Sequence, residues 1–168
     1  MINPFVAEHN IQSVIEFGCG DGQQLELFRF PQYLGFDVSA TAVGLCRQKF
    51  AGDTTKKFAL MGEYAGETAD LSLSLDVIYH LVEDEVFETY MKTLFSSARK
   101  FVIIYSSNFN EGEKFHLGAH VRHRKFTDWV ETHYPDWKLL QHIPNKYRTG
   151  GSLNLGSYAD FFIYQKVV

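Results

Sequence analysis

Three glycines at alternate positions, Gly18, Gly20 and Gly22, form the part of the sequence with the clearest chemical meaning. Glycine tolerates backbone conformations with positive φ, and it lets the main chain approach a ligand closely. The four residues before them, 14–17, are β-branched or aromatic apart from Glu16, which is typical of a short buried strand. A strand that runs into a glycine turn and then a helix is a common nucleotide-binding arrangement. The spacing therefore predicts a nucleotide-type site.

Two acidic residues stand beside this turn. Glu16 lies within the apolar strand, where a carboxylate needs a partner, so we expect it to pair with a hydrogen-bond donor or with the amine of a ligand. Asp37 ends the next predicted strand, where a carboxylate can accept hydrogen bonds from a ribose diol. It follows Gly22 by 15 residues, whereas the dinucleotide motif has a different glycine spacing and places its acid about 20 residues on. A nicotinamide cofactor is therefore disfavoured.

His80 is the residue best placed for proton transfer. It follows the predicted fourth strand, at the edge of the sheet that faces a bound ligand. Imidazole has an unperturbed pKa of about 6.5 and can accept a proton at neutral pH. We predict that His80 is a general base or orients the substrate; packing at the start of a helix is the structural alternative.

Residues 106–126 are polar and longer than a routine connection, so we predict a lid-like insertion. Histidine and arginine cluster there, at His116, His120, Arg122, His123 and Arg124. A metal site is not predicted, because the accompanying cysteine or HExxH ligands are missing. Arg122 and Arg124 either pair with acids at the sheet edge or contact an anionic or polyol substrate. Together with His120 they are the candidate substrate contacts.

The remaining patterns place these residues on alternating strands and helices, as expected of an α/β fold. The predicted strands are 14–17, 33–37, 57–60, 69–78, 100–105, 137–143 and 158–167. Helices are predicted over 5–12, 23–28, 39–50, 86–98 and 127–134. The last two strands have no helical pattern between them, which indicates an antiparallel closing pair. We predict a single domain over residues 1–168.

Composition narrows the class of protein further. The chain has 168 residues, 45% of them hydrophobic, which is enough for a full core. A net charge of −4 disfavours an extended nucleic-acid surface. Cys19 and Cys46 lie in unrelated contexts and predict reduced thiols in a cytoplasmic protein. Neither a signal peptide nor a membrane-spanning segment is expected.

Three successive motifs resemble those of class I S-adenosylmethionine-dependent methyltransferases. They are EFGCGDG at 16–22, GFDVS at 35–39 and SLDVIYHL at 74–81. The similarity extends over nearly the whole chain. It implies a Rossmann-like, three-layer α/β/α fold with a mostly parallel seven-stranded sheet and an antiparallel last strand.

The resemblance also implies S-adenosylmethionine as the cofactor and assigns a part of it to each motif. The glycine turn would contact the methionine moiety, Asp37 the ribose, and Leu75 with Asp76 the cofactor amine or its waters. Glu63 is an approximate match to the acid that often binds adenine. The implied cofactor-binding residues are Glu16, Gly18, Cys19, Gly20, Asp21, Gly22, Asp37, Val38, Ser39, Leu75 and Asp76.

The acceptor is predicted from the residues after the fourth strand. The Asn- or Asp-Pro-Pro-Tyr motif typical of methyltransferases that act on amino groups of bases is missing, and residues 74–81 are similar to those of small-molecule enzymes. We therefore expect O-methylation of a small polar or saccharide-type acceptor. The alternatives are a non-catalytic S-adenosylmethionine-binding module or partner subunit and, third, a nicotinamide-dependent oxidoreductase. The short segment before the first strand predicts an acceptor side that is open or covered by a second chain, in a homo-oligomer or with a partner.

Overall fold

A computed structural model gives the structure of residues 1–110, 120–147 and 156–167. Its strands are β1 (Val14–Phe17), β2 (Tyr33–Asp37), β3 (Lys56–Leu60), β4 (Ala69–Leu75), β5 (Ala98–Ser106), β6 (Trp137–Ile143) and β7 (Asp160–Lys166). All seven form one sheet in the order β3-β2-β1-β4-β5-β7-β6. Its α-helices are α1 (Ile2–Glu8), α2 (Ala40–Lys49), α3 (Asp84–Ser96) and α4 (Phe126–His133).

The sheet has the predicted mixture of strand directions. Strands β1 to β5 pair in parallel, while β7 runs antiparallel to both β5 and β6. Every residue of β4 is buried, as expected of a central strand covered on both faces. The class I methyltransferase-like architecture predicted from the sequence is therefore confirmed.

Two apolar clusters cover the two faces of the sheet. Successive side chains of a strand point to opposite faces, so Ile103 lies in one cluster while Val102 and Ile104 lie in the other. The first cluster includes residues of α1 and α2, and the second includes residues of α3 and α4. This double packing fixes the ends of the strands from which the candidate site is built.

Four local predictions were wrong. The helix after the glycine turn is only a 3-10 turn, Gln24–Leu27, because the chain becomes extended at Phe28. The first helix begins at Ile2 and ends at Glu8, earlier than predicted. The helical spacing of Ala42, Leu45, Cys46 and Phe50 predicts that they form the buried face of α2. Cys46 is buried as predicted, but Leu45 is 47% exposed and Val43 is buried in its place.

The fourth error concerns β4, which ends at Leu75 and not at residue 78. The next residue, Asp76, has a φ of 61°, in the left-handed region that a strand cannot use. Aspartate is among the few non-glycine residues that adopt this conformation. The chain therefore leaves the sheet there, and a 3-10 turn, Ile78–His80, comes next.

Within the described parts of the chain, every helix is too short or too polar to span a bilayer. The predicted lid is described only at its two ends, since residues 111–119, including His116, lie outside the described ranges. Its described ends contain the residues that follow β5 and those that precede α4.

Candidate active site

The carboxyl ends of the parallel strands β1, β2 and β4 meet at one edge of the sheet, where α/β proteins bind their ligands. A cavity of about 390 Å³, which we call the first cavity, opens at this edge. It is lined by Phe17, Gly18, Phe36, Asp37, Val38, Met61, Leu75, Asp76, Val77, His80, Leu81 and Tyr90. Six of these were predicted site residues: Gly18, Asp37, Val38, Leu75, Asp76 and His80.

The glycine turn has the backbone conformation that its composition predicts. Gly18, Gly20 and Gly22 have φ values of 88°, 57° and 74°. A methyl group at the Cβ position of Gly18 would lie 2.4 Å from Cγ2 of Val77. Glycine is therefore required at this position both by conformation and by the close approach of the segment after β4.

Asp37 connects the turn to α2. Its Oδ2 accepts a hydrogen bond from the Gly20 amide at 2.8 Å, and its Oδ1 accepts one from the Ser39 amide at 2.8 Å. Ser39 in turn caps α2, because its hydroxyl accepts a bond from the Ala42 amide at 3.2 Å. A carboxylate has about four acceptor positions, so Asp37 keeps capacity for a ligand diol at the wall of the first cavity.

We expect Asp37→Ala to weaken binding of S-adenosylhomocysteine by about 10- to 100-fold, the usual effect of losing hydrogen bonds to a charged group. Isothermal titration calorimetry measures this change. Asp136→Ala is the matched control, because Asp136 is half-exposed and its ion pair with Lys166 spans 4.0 Å. An unchanged dissociation constant in Asp37→Ala would remove Asp37 from the ligand site.

Glu16 has a protein partner. The Tyr33 hydroxyl donates to Glu16 Oε2 at 2.5 Å, and both side chains are buried. Burial raises the pKa of Glu16 to about 7; the Tyr33 bond lowers it in part, and the negative charge of Asp37 raises it further. The sequence left two partners open for Glu16, a hydrogen-bond donor of the protein and the amine of a ligand. The structure contains the first of these, the Tyr33 hydroxyl. A contact with a ligand amine stays a prediction.

The other residues of the turn shape it without lining the first cavity. The Cys46 thiol donates to the Gly20 carbonyl oxygen at 3.2 Å, and the Cys19 amide donates to the Phe36 carbonyl oxygen at 3.0 Å. Asp21 accepts hydrogen bonds from the backbone and side-chain amides of Gln23 at 3.1 Å and 2.9 Å. Contacts of Cys19 and Asp21 with a cofactor thus stay predictions.

A second cavity, of about 560 Å³, adjoins the first. It is lined by Asp76, Tyr79, Tyr105, Ser107, Val121, His123, Gly156, Ser157, Tyr158 and Ala159. Asp76 lines both cavities. Its Oδ1 accepts a hydrogen bond from the Tyr79 hydroxyl at 2.6 Å, and its amide donates to the Tyr105 carbonyl oxygen at 3.0 Å. These bonds fix Asp76, whose backbone is in the left-handed region, between the two cavities.

The sequence did not indicate Tyr79, Tyr105 or Ser107 as site residues. Only their positions in the chain could have indicated that they belong to the site. Tyr79 closely follows β4, while Tyr105 and Ser107 lie at the carboxyl end of β5. Burial and then the bond to Asp76 raise the pKa of Tyr79, so this phenol stays protonated near neutral pH. The Tyr79 hydroxyl can therefore donate a hydrogen bond, but it does not act as a general base near neutral pH.

His80 is exposed and lines the first cavity. Its Nδ1 lies 3.4 Å from the carbonyl oxygen of His120, and its ring centroid is 4.6 Å from that of Tyr79. The described end of the predicted lid therefore reaches His80 through the backbone of His120. A substrate contact by the His120 side chain stays a prediction.

Arg122 and Arg124 form ion pairs with Asp84 at the start of α3, with closest distances of 2.9 Å and 3.0 Å. Both also donate to the Val82 carbonyl oxygen, at 2.8 Å and 2.6 Å. The two guanidinium groups, Arg124 first, lower the pKa of Asp84. The structure therefore contains the ion pairing that the sequence left as one of two possibilities. Substrate contacts by the arginines stay predictions.

Among residues 1–110, 120–147 and 156–167, no group of three or more histidine, cysteine, aspartate or glutamate side chains is arranged to hold a metal ion.

Comparisons with known proteins identify the family and the fold of this chain. A family model described as a methyltransferase domain matches residues 15–99. No curated protein sequence matches the chain. The methyltransferase domain of bacterial CtHen1 superposes with a TM-score of 0.74 at 19% identity, covering 99% of this chain and 95% of that one.

Two further solved structures share the fold. The magnesium protoporphyrin IX methyltransferase ChlM of Synechocystis PCC 6803 with bound SAH has a TM-score of 0.70 at 16% identity, with coverage of 98% and 80%. The N-methyltransferase NodS of Bradyrhizobium japonicum WM9 has a TM-score of 0.72 at 14% identity, with coverage of 99% and 98%. At such identities the likeness concerns the fold alone.

Proposed function

We propose that this chain, which belongs to the methyltransferase domain family, methylates a hydroxyl group of a small polar or saccharide-type acceptor. Its cofactor is S-adenosylmethionine, and S-adenosylhomocysteine is the product. The observation that supports an active enzyme is the meeting of the first and second cavities at Asp76. A methyl donor in one cavity and an acceptor in the other would then be neighbours.

The first cavity has the features that the cofactor requires. Phe36, Met61 and Leu81 offer apolar surface for a nucleoside base, and Asp37 offers a carboxylate for ribose hydroxyls. The backbone of the glycine turn approaches the cavity at Gly18. When bound, the cofactor supplies an electrophilic methyl group on a sulfonium. The protein contributes chiefly by positioning the acceptor in line with it.

The second cavity supports a small acceptor. Its volume of about 560 Å³ lies in the range of small-molecule sites. The hydroxyl groups of Tyr79, Tyr105 and Ser157 give it hydrogen-bonding groups beside aromatic surface. The net charge of −4 disfavours a nucleic-acid acceptor. Proteins of this fold include both N- and O-methyltransferases, so the choice of a hydroxyl rests on the cavity lining and not on the fold.

His80 has two possible roles in this reaction, base or orienting group. It lines the first cavity but is not among the residues that line the second, which favours the orienting role. We therefore expect His80→Ala to lower the rate of methyl transfer by less than about tenfold, below the usual contribution of a general base. Steady-state kinetics with affinity for S-adenosylhomocysteine measured separately tests this. A much larger loss of turnover at unchanged affinity would instead identify His80 as the base.

Thermal denaturation with S-adenosylmethionine, S-adenosylhomocysteine and NAD tests the proposed function first. A ligand that binds only the folded state raises the melting temperature by mass action. We expect both sulfur compounds to raise it and NAD to leave it unchanged. The absence of a shift with either sulfur compound would refute the proposal.

A screen of hydroxyl compounds for release of S-adenosylhomocysteine must come next, because a binding module without catalysis would also show the thermal shift. Turnover of a sugar or phenol supports the enzyme. Turnover of amines alone would move the acceptor atom from oxygen to nitrogen.

We propose a cytoplasmic location for this protein. Both cysteines, Cys19 and Cys46, are free thiols, as a reducing cytoplasm would keep them.

We also propose that a second chain covers the acceptor side. Sedimentation of the purified protein with and without S-adenosylhomocysteine measures this, and a monomer under both conditions would contradict a homo-oligomer.

A further inference from the structure

Asp76 lies in the wall between the two cavities. Of the described residues that line them, Asp76 alone belongs to both. Within the described ranges, Asp76 and Asn10 are the non-glycine residues with a positive φ, at 61° and 49°. Residues held in this region of backbone conformation often lie at functional sites. A left-handed aspartate where two cavities meet therefore indicates a functional carboxylate.

The carboxylate of Asp76 lies on the side of the second cavity. Its Oδ1 accepts the hydrogen bond of the Tyr79 hydroxyl at 2.6 Å, and Tyr79 lines the second cavity and not the first. Among the described residues no donor bonds to Oδ2, and Oδ2 is not a buried atom. A carboxylate has about four acceptor positions. Oδ2 is therefore open to a ligand in the second cavity.

Other polar groups of the second cavity do not offer a base to an acceptor. The Tyr105 hydroxyl donates to Ser157 Oγ at 3.1 Å, and phenols and alcohols keep their protons near neutral pH. The Ser107 hydroxyl oxygen lies 2.6 Å from His123 Nδ1, and His123 Nε2 is buried away from the cavity. Among the described lining residues, Asp76 is therefore the group that can accept a proton from a bound hydroxyl.

We propose, on the basis of the function proposed above, that Asp76 is the catalytic base of methyl transfer and that Tyr79 is its positioning residue. Oδ2 of Asp76 accepts the proton of the acceptor hydroxyl while the acceptor oxygen bonds to the methyl carbon. The carbon–sulfur bond breaks with its electron pair on sulfur. The positive sulfonium and the negative carboxylate are both neutralised, and the products are a thioether, an ether and a carboxylic acid.

The same groups indicate the class of acceptor. A carboxylate is a weak base, so proton transfer to it is most effective from an acidic hydroxyl group. A phenol, with a pKa of about 10 in tyrosine, is a stronger acid than an alcohol or a sugar. The rings of Tyr79 and Tyr105 line the same cavity and favour stacking against a flat molecule. Among hydroxyl acceptors, the site therefore selects a phenol.

Asp76→Asn tests the contact without turnover. Asparagine also adopts the left-handed conformation, and its amide oxygen can accept the Tyr79 bond, which leaves a donor, Nδ2, at the position of Oδ2. Phenol and 4-nitrophenolate are titrated calorimetrically into the protein saturated with S-adenosylhomocysteine. We expect phenol to bind the variant about 10- to 100-fold more weakly than the wild type. The anion, which the carboxylate repels, should bind the variant more tightly.

Opposite changes for the two ligands distinguish contact with the acceptor from a structural role, which would weaken both alike. Absence of phenol binding, equal phenol affinity in Asp76→Asn and the wild type, or a wild type that prefers methyl β-D-glucopyranoside to phenol would each overturn the inference. A variant that loses affinity for S-adenosylhomocysteine while keeping that for phenol would assign Asp76 to the cofactor instead. Failure of the wild type to bind S-adenosylhomocysteine would refute the proposed function itself.

Turnover tests the role of the base. Asp76→Asn should lower kcat for phenol by about 100- to 10,000-fold with unchanged affinity for S-adenosylhomocysteine. For 4-nitrophenolate, which is already ionised, kcat should fall far less. The matched control is Asp136→Asn, because Asp136 is half-exposed and lines neither cavity. Equal losses with both acceptors would overturn the role of Asp76 as a base. A wild-type protein that binds cofactor and phenol but methylates no hydroxyl compound would refute the proposed function, while the binding contact would stand.

Tyr79→Phe tests the positioning role separately. Loss of the hydroxyl should lower kcat for phenol in the wild type, because Oδ1 of Asp76 is then no longer held. The same change in the Asp76→Asn background should have little further effect, since residues that act through one another are not additive. An equal fall of kcat in both backgrounds would show that Tyr79 does not act through Asp76.

Discussion

Gly18→Ala is expected to abolish measurable binding of S-adenosylhomocysteine while the sheet still folds. The new methyl group would lie 2.4 Å from Cγ2 of Val77, and the backbone φ of 88° is one that alanine rarely adopts. The turn must therefore move away from the segment after β4, which lines the first cavity with it. Calorimetric titration measures the loss, and circular dichroism verifies the fold.

Gly44→Ala is the matched control, because an added Cβ at this helical position would meet no heavy atom within 4 Å. It should keep full affinity and add about 0.5–1 kcal/mol of stability through helix propensity. Combining Gly18→Ala with Val77→Ala separates the two causes of the defect. Recovery of affinity in the double variant would identify the clash as dominant, and wild-type affinity in Gly18→Ala alone would contradict the geometry of the turn.

The free energy of unfolding should fall as the pH rises from 5 to 8, and Glu16 should account for about 2–3 kcal/mol of this loss. Burial raises the pKa of Glu16 from 4.5 to about 7. A raised pKa means that the folded state binds the proton more tightly than the unfolded state does. Stability from this group is therefore complete below pH 4.5 and is lost as the pH rises through 7.

Urea denaturation at several pH values measures this dependence in the wild type and in Glu16→Gln. The amide keeps the shape of the side chain but cannot ionise, so its stability should vary less between pH 5 and 8. Tyr33→Phe is a second test, because the Tyr33 hydroxyl bond lowers the pKa of Glu16 and its removal should extend the loss to higher pH. Equal pH dependence in Glu16→Gln and the wild type would assign the effect to another group.

The fold could be predicted because its signals are local. The run of apolar residues in β5 and the alternation of leucine with small residues in β4 each need only a few neighbouring residues to be recognised. The errors arose where tertiary contacts decide the outcome. Leu45 fits a helical core pattern as well as Val43 does, and only the position of β3 against α2 determines which one is buried.

The same distinction applies to the candidate site. Residues that belong to a local motif could be predicted, whereas residues brought together by tertiary contacts could not. Gly18 and Asp37 were found because a motif places them at the carboxyl ends of adjacent strands. Ser107 and Tyr158 line the second cavity through pairing of β5 with β7, which the sequence does not encode at any fixed spacing. For Arg124, the choice between a substrate and an acid required knowing that α3 begins with Asp84 beside it.

The two hydrogen bonds of Asp37 have a consequence for binding entropy. One carboxylate oxygen binds the Gly20 amide and the other binds the Ser39 amide, so a single side chain sets the separation between the glycine turn and α2. The backbone that meets a ligand is then ordered as part of folding, and binding does not have to order it again. Asp37 would in this way influence affinity for every part of the cofactor that touches the turn, including atoms far from the ribose.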